Sequence, residues 1–376
     1  MTLDTATEAT ATYAEPPRQA TGNDRARPRG RTWLRFIVSW ALALTLLGLG
    51  LPRAVDVSWH VVLPALQSLQ WTAAVALVAV WFLSLYVHSF LLTAAGPGLT
   101  RSRAITLNVT GSAVANVVPL GGAVGLELNR RMMKAWGIDA RTFSGYVLLI
   151  NLWSFAAKLL LPATAVLALG LADEAVGLPL RAAAVASAIC FVGLAAVTAT
   201  VLSSSRGALA FGHAVDRTAR VCMRRMHREC SPHLVDTILD IRRECLRLIA
   251  TGWPRMAAGI GGYVALQYLL LGLCLHLAGA GNTWPEVLAG FAVERTITLM
   301  PITPGGIGVA DLGLVGVLIA MGGAPAGVAA AAVLYRAFIV AVQIPVGGFV
   351  LGLWLLHRRL SSRPDRQATP AAPEPG

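Results

Sequence analysis

Four charged side chains interrupt the apolar stretch from residue 287 to residue 356. Glu294 and Arg295 are adjacent, and Asp311 and Arg336 lie in the apolar stretches that follow. A guanidinium group can donate two charge-assisted hydrogen bonds to a phosphate, whereas a carboxylate can bind an amine or take up a proton. Because a buried charge is costly unless it is paired or hydrated, we expect these residues either to bind an ionic ligand or to pair with one another.

A loop-forming segment separates these charges. Residues 301–311 read PITPGGIGVAD, and two prolines with three glycines cannot continue a regular helix. Gly305, Gly306 and Gly308 can expose backbone N–H groups, and a helix that starts here would favour an anion at its N-terminus. The segment therefore predicts a break between two short helices, with a substrate-binding loop at the break.

The composition is that of a protein embedded in a membrane. The chain has 376 residues, of which 56% are hydrophobic and 13% are charged. Several apolar runs reach the roughly 20 residues needed to cross a bilayer. Non-helical backbone at membrane depth occurs only where it is buried in protein or lines a wet cavity, so the broken segment is typical of a translocation or substrate site. We predict an all-α polytopic membrane protein.

The apolar runs and their breaks divide the chain into spans, re-entrant elements and tails. We predict six full spans, at about 33–51, 72–95, 143–171, 181–202, 256–279 and 326–356. Two further apolar segments, 105–126 and 287–321, contain Pro and Gly, and we interpret each as a re-entrant pair of half-helices. Residues 1–31 and 361–376 have the composition of disordered tails, which leaves 32–360 as the transmembrane domain.

The basic residues predict the orientation of these elements. Of the 31 Lys and Arg residues, 26 lie in segments 1–35, 96–104, 129–141, 203–255 and 357–366. Basic loops are typical of the cytoplasmic side, so both termini are predicted to be cytoplasmic. Segment 105–126 would then dip in from the cytoplasm, and segment 287–321 from the exterior. The net charge of +12 follows from this topology, and no nucleic-acid partner is indicated.

The kind of basic residue indicates the host. Arg outnumbers Lys by 29 to 2, which is typical of a protein from a GC-rich bacterial genome. We therefore expect the protein in the cytoplasmic (inner) membrane of a bacterium.

The two broken segments resemble each other. PLGGAVGLE at 119–127 and PGGIGVAD at 304–311 both read Pro, Gly-Gly, a Gly-containing apolar turn and then an acid, and their prolines lie 185 residues apart. The same offset relates Asn151 to Arg336. Inverted repeats of this kind are common in transporters, whose sites lie at the repeat interface. A chance match is the alternative, because Gly, Ala and Leu are abundant.

Charged groups of the first half could recruit a lipid headgroup. Glu127 with Arg130 and Arg131 is expected at the cytoplasmic mouth, where an interfacial anchor with snorkelling Arg is an equally good interpretation. Lys158 interrupts the third span, and pairing with a carboxylate such as Glu127 is one option. His88 in the second span is interpreted as a buried histidine with satisfied hydrogen bonds, with a role in the site as the alternative.

The Arg-rich segment 205–250 is the longest stretch between predicted spans. Its apolar residues follow helical spacing through Leu234, Ile238, Ile241, Cys245 and Ile249. This pattern predicts an amphipathic helix on the anionic leaflet. The segment also contains Cys222, His227, Cys230 and His233, whose spacing is not that of a usual zinc finger, so we predict no metal site and no cofactor.

At these residues the chain resembles the membrane domain of lysylphosphatidylglycerol synthase/flippase proteins. The resemblance rests on PITPGGIGVAD at 301–311, LYR at 334–336 and NVVPLGGAVGLELNRRMMKAWG at 116–137, and it covers about residues 33–356. It implies a multi-span domain that moves an aminoacylated or other phospholipid between leaflets. Asn151 departs from the pattern, because relatives often have a charged residue at that position.

A further departure concerns enzyme activity. The synthases of this family carry a large soluble aminoacyl-transfer domain, whereas this chain ends 20 residues after its last predicted span. We therefore expect no aminoacylation and no enzyme activity from this chain. A membrane enzyme acting on a lipid phosphate is also weighed, but no catalytic constellation supports it.

The leading hypothesis is a flippase for a phospholipid or a lipid-linked precursor. Membrane phospholipids with an anionic headgroup would be its partners, with Arg336 and Arg295 holding the phosphate, and a homo-oligomer is left open. The alternative is a secondary transporter of a small solute or ion, which would need an enclosed polar cavity. The chain contains no Walker-type phosphate loop, so ATP is not implied, and any coupling would use Asp311 or Glu294.

Overall fold

Helices make up the regular structure of this protein. The computed structural model describes residues 70–117, 121–172, 177–204, 206–207, 209, 234–299 and 308–361. Every regular element in these ranges is helical. The prediction of an all-α polytopic membrane protein is confirmed.

Ten α-helices occur in the described ranges. The first five are α1 (Trp71–Ala95), α2 (Arg101–Val117), α3 (Gly121–Ala135), α4 (Ala140–Leu171) and α5 (Leu178–Ser203). The next five are α6 (Leu234–Leu277), α7 (Trp284–Ile297), α8 (Val309–Ala320), α9 (Pro325–Arg336) and α10 (Gln343–Ser361). A π-helical turn, Ala337–Ala341, joins α9 to α10.

Five stretches of helix are long and apolar enough to cross a membrane. They are Trp71–Ala95, Ala140–Leu171, Leu180–Val201, Arg242–Leu277 and Pro325–Arg359. They coincide with five of the six predicted spans. The sixth, 33–51, and the tail 1–31 lie outside the described residues, as does 362–376.

Each of the two broken segments forms a pair of helices. In the first, α2 packs against α3, and in the second, α7 packs against α8. The predicted breaks fall between the helices of each pair, where residues 118–120 and 300–307 lie outside the described part of the chain.

The order of helices repeats along the chain. An offset of 185 residues maps Ala135, the end of α3, onto Ala320, the end of α8, and maps Ala140, the start of α4, onto Pro325, the start of α9. The first half thus has the long helix α1, the pair α2–α3 and the long helix α4. The second half has the long helix α6, the pair α7–α8 and the long stretch Pro325–Arg359, which includes α9 and most of α10. The contacts are reciprocal, because α2 packs on α10 of the second half and α7 packs on α4 of the first.

The long helices α1 and α6 form the centre of the fold. They share the most extensive helix–helix contact among the described elements. Gly259 of α6 lies against α1 so closely that a Cβ there would come 2.4 Å from the backbone nitrogen of Leu91. Glycine is needed at this point because any side chain would push the two backbones apart.

Apolar side chains also cover much of the outer surface. Phe82, Leu148, Ile189 and Phe349 are each more than half exposed. Exposed apolar side chains over the outer faces of long helices are expected when the surrounding medium is lipid.

The structure differs from the expected surface helix in the segment 205–250. Residues 234–250 are not a separate element, because they belong to the 44-residue helix α6 that continues into the span. Cys245 and Leu248 are buried, and they pack in a cluster with Phe143 and Tyr146 of α4. This part of the apolar face therefore contacts protein. The four Cys and His residues weighed for zinc lie outside the described residues.

Candidate functional site

The second broken segment ends at a capped helix. Gly308 precedes α8 with a φ of +88°, a conformation that L side chains rarely adopt. Its backbone N–H donates a hydrogen bond of 2.8 Å to Oδ2 of Asp311, in the first turn of α8. A carboxylate at this position satisfies a free N–H group and complements the helix dipole. Gly305 and Gly306 lie outside the described residues, so their predicted role stays a prediction.

Asp311 also joins α8 to α9 through a buried ion pair. Its Oδ1 accepts a hydrogen bond of 2.8 Å from Nε of Arg336, and Nη2 of Arg336 donates to the same oxygen. Asp311 is 1% exposed and Arg336 is 5% exposed. Both carboxylate oxygens of Asp311 are therefore engaged, and the pair holds the start of α8 against the end of α9.

Glu294 is a second buried carboxylate, located on α7. Its Oε1 lies 3.6 Å from Nη2 of Arg336, and its Oε2 lies 3.0 Å from Nε of Arg295. Neither oxygen accepts a hydrogen bond from the described residues, although the residue is fully buried. Glu294 is thus held by ion pairs alone, which makes it the least satisfied charge of the site.

Arg295 connects α7 to α9. It donates a hydrogen bond to the hydroxyl of the fully buried Tyr335. Its guanidinium lies over the ring of Phe291, 4.8 Å from the centroid. The side chain as a whole retains 17% exposure, although its Nε is buried.

Lys158 brings a third cation to this site from α4. Its Nζ donates a hydrogen bond of 3.1 Å to the hydroxyl of Thr298, just beyond α7. That hydroxyl donates in turn to the backbone carbonyl of Arg295, at 2.6 Å. The predicted option of pairing with Glu127 is wrong, because Glu127 binds two Arg residues of its own helix.

These contacts bring all four charged residues named from the sequence into one cluster. We call Lys158, Glu294, Arg295, Asp311 and Arg336 the charged cluster. Three cations and two carboxylates give it a net charge of +1 when all are ionised. Such a cluster can stabilise one further negative charge, such as that of a phosphodiester.

The charged group on α3 is separate and exposed. Glu127 accepts hydrogen bonds from Nε of Arg130 at 2.7 Å and from Nε of Arg131 at 2.8 Å. These bonds lower the pKa of Glu127 to about 2, so it is a carboxylate at neutral pH. All three side chains are more than a third exposed. Glu127 and Asp311 are the acids that end the two similar motifs, but Glu127 is on the surface and Asp311 is buried.

Two members of the site were not identified as such from the sequence. Tyr335 was noted only as part of a motif, and Thr298 was not considered. Both residues are uncharged. The only indication in the sequence that they belong to the site is their position, since Tyr335 precedes Arg336 and Thr298 lies just before the segment 301–311. Among the described residues, no group of three or more His, Cys, Asp or Glu side chains could hold a metal ion.

Comparison with known proteins agrees with this architecture. No curated protein matches the chain. The family model described as the lysylphosphatidylglycerol synthase TM region matches residues 33–347, which include both helix pairs and the whole charged cluster. A match over most of the chain establishes the family, whose description suggests a lipid-related function in the membrane. The protein is therefore a multi-pass membrane protein that belongs to the lysylphosphatidylglycerol synthase TM region family.

Proposed function

We propose that this protein moves a phospholipid or a lipid-linked precursor between the leaflets of a bacterial cytoplasmic membrane. The observation that carries the proposal is the buried charged cluster beside the break between α7 and α8. A lipid phosphate needs a cationic partner when its headgroup leaves water, and the cluster has one cation in excess of its carboxylates. The acyl chains would remain in the surrounding lipid.

The geometry favours particular cations for this task. Arg336 donates to Asp311 and lies near Glu294, so its charge is already matched within the protein. Lys158 has three N–H donors, of which one is used by Thr298. We therefore assign the phosphate to Arg295 and Lys158 and assign a positioning role to the Asp311–Arg336 pair. This differs from the expectation that Arg336 would itself bind phosphate.

The same proposal includes the orientation predicted from the basic residues. The pair α2–α3 would dip in from the cytoplasm and the pair α7–α8 from the exterior, with both termini in the cytoplasm. Arg130 and Arg131 would then lie on the cytoplasmic side, where they could attract anionic headgroups.

Transport in reconstituted vesicles tests this function. We expect vesicles that contain the protein to expose fluorescent anionic phospholipid to an external quencher faster than protein-free vesicles do. Lys158→Gln should slow this transport by about tenfold, because it keeps a hydrogen-bond donor for Thr298 but removes the charge, and tenfold corresponds to about 1.4 kcal/mol. Lys158→Arg should restore most of the rate.

The matched control is Arg247→Gln, which removes an exposed Arg on α6 outside the charged cluster. It should leave the rate unchanged. Transport no faster than in protein-free vesicles across a panel of anionic lipids would refute the proposed function. Uptake of a small ion or solute without lipid movement would favour the secondary transporter instead.

A further inference from the structure

The first half of the chain contains a cavity, with several polar side chains in a largely apolar lining, that the proposed phosphate site does not use. It has a volume of about 350 Å³ and lies between α1, α2, α3 and α4. This volume is within the range of roughly 300–1,000 Å³ that is usual for ligand sites. Its polar lining consists of His88, Asn108, Ser112, Asn129, Tyr146 and Asn151.

The cavity has hydrogen-bonding groups but no formal charge in its lining. Its described lining residues include no Asp, Glu, Lys or Arg. Oδ1 of Asn129 is buried and accepts no hydrogen bond from the described residues. An unsatisfied buried acceptor destabilises the protein, and a ligand that donates to it would remove this cost.

Other polar groups of the cavity are already oriented. Nδ2 of Asn108 lies 3.2 Å from Nδ1 of His88. The imidazole of His88 stacks on Tyr263, with ring centroids 4.4 Å apart. Asn151 donates a hydrogen bond of 2.8 Å to the backbone carbonyl of Val147. Neighbouring side chains thus orient these groups before a ligand binds.

The repeat explains why this cavity is uncharged. The offset of 185 residues maps Leu126, Ile150 and Asn151 of the cavity onto Asp311, Tyr335 and Arg336 of the charged cluster. In the second half, ion-paired side chains occupy this position. In the first half, shorter or neutral side chains leave it open, so the two halves offer different binding chemistry.

We propose that this cavity binds an uncharged polyol headgroup, such as a sugar, carried on a lipid. Amide groups match hydroxyl groups well, because both donate and accept hydrogen bonds. An ammonium group would need a carboxylate, and a phosphate would need a cation, and the cavity lining offers neither. The volume corresponds to about ten water molecules, which is enough for a ring with several hydroxyls.

A lipid anchor suits the position of the opening. Leu126 of α3 and Leu148 of α4 are 42% and 52% exposed, so apolar surface lies beside the cavity. Arg130 and Arg131 follow Leu126 by four and five residues on α3, which places positive charge about one helical turn from the cavity lining. A phosphate that links the polyol to its lipid could bind there. The binding of a polyol in the cavity is thus argued independently of the proposed lipid transport. Only the statement that the polyol is attached to a lipid rests on that proposed function.

Direct binding to the full-length protein in phosphatidylcholine nanodiscs tests the cavity. Three probes are used. Octyl β-glucoside is a polyol without phosphate, and dioctanoyl phosphatidylinositol is a polyol with phosphate. Dioctanoyl phosphatidic acid has a phosphate but no polyol. We expect both polyols to bind and to compete with each other, whereas excess phosphatidic acid, whose phosphate can bind the charged cluster, should leave octyl β-glucoside bound. No detectable binding of octyl β-glucoside, or its displacement by phosphatidic acid, would overturn the inference.

Substitutions locate the binding site. Gly122 lines the cavity, and a Cβ there would meet no atom within 4 Å, so Gly122→Leu should fill the space without a clash. We expect it to weaken polyol binding by at least tenfold. The matched control is Gly352→Leu on α10, where a Cβ is equally unhindered and which is not part of the cavity lining.

A second variant separates hydrogen bonding from volume. Asn129→Leu keeps a side chain of similar size but removes the amide, so it should also weaken binding of both polyols. Unchanged polyol affinity in both Gly122→Leu and Asn129→Leu would overturn the inference.

The transport assay keeps the two proposals distinguishable. If the wild type binds polyols in the cavity but moves no lipid, transport is refuted and the cavity stands. If it moves lipid but binds no octyl β-glucoside, the cavity inference is refuted and transport stands.

Discussion

At the scale of single residues, the site depends on how each buried charge is matched. Asp311 uses both oxygens, one for the N–H of Gly308 and one for Arg336. Glu294 has ion pairs but no hydrogen bond from the described residues. The Asp311–Arg336 pair is therefore the structural element of the cluster, whereas Glu294 and Arg295 retain unused capacity for a ligand or a proton.

Removing the charge of Asp311 should destabilise the protein. Asp311→Asn leaves Arg336 buried with only the more distant Glu294, and breaking a buried ion pair costs about 3–5 kcal/mol. We expect a clear fall in the temperature of unfolding, measured in detergent by the fluorescence of a thiol-reactive dye. Arg336→Gln should have a similar effect.

The double variant checks that these two side chains act as a pair. Asp311→Asn with Arg336→Gln should cost clearly less than the sum of the single effects, because no unpaired charge remains. Additive effects would contradict the pairing. Glu244→Gln, which removes the more exposed pair Glu244–Arg247, should change stability by less than about 1 kcal/mol.

At the scale of helices, close approach of backbones determines the arrangement. Gly259 allows α6 to touch α1, and the buried cluster of Phe143, Tyr146 and Cys245 joins α6 to α4. Helices α1, α4 and α6 thus pack together, and the two helix pairs contact them. The charged cluster and the polar cavity are located where the helix pairs meet the long helices.

A single methyl group should test the α1–α6 contact. Gly259→Ala would place Cβ 2.4 Å from the backbone nitrogen of Leu91, so we expect a lower temperature of unfolding. Gly261→Ala, two residues along the same helix, meets no atom within 4 Å. It should be neutral or stabilising by up to about 1 kcal/mol, because Ala favours a helix over Gly. Equal effects of the two substitutions would contradict the close approach.

At the scale of the whole molecule, the repeat relates two halves of different chemistry. Each half contributes a helix pair that packs on a long helix of the other half: α2 packs on α10, and α7 packs on α4. Each half therefore depends on the other for part of its packing. The second half holds a charged cluster with one excess cation, and the first holds an uncharged polar cavity. A lipid headgroup with both a phosphate and a polyol would match the sum of these properties.

The proposed orientation is tested by labelling in intact cells. In a variant without the five native cysteines, Ala172→Cys after α4 should react with a membrane-impermeant maleimide from outside. Ser102→Cys at the start of α2 should react only after the cells are permeabilised. The opposite pattern would reverse the orientation and the side from which each helix pair enters.

The sequence by itself determined the class of the protein and the outline of its helices. Apolar runs of sufficient length specify spans regardless of their neighbours, because every backbone group in lipid must be satisfied within a helix. Five predicted spans and the two helix pairs were therefore found from local pattern. The four charged residues between positions 287 and 356 were identified because charged residues are rare in apolar runs.

Only the tertiary structure decided which residues share a site. The hydrogen bond from Lys158 to Thr298 crosses 140 positions of the chain, and no local pattern encodes such a contact. Glu127 and Asp311 end similar motifs, yet one lies on the surface and the other is buried, because the helices around them pack differently. The amides of Asn108, Asn129 and Asn151 have no distinctive pattern in the sequence, and they come together in one cavity only where α2, α3 and α4 meet. Burial and partner choice depend on long-range packing, which is why they followed from the folded chain alone.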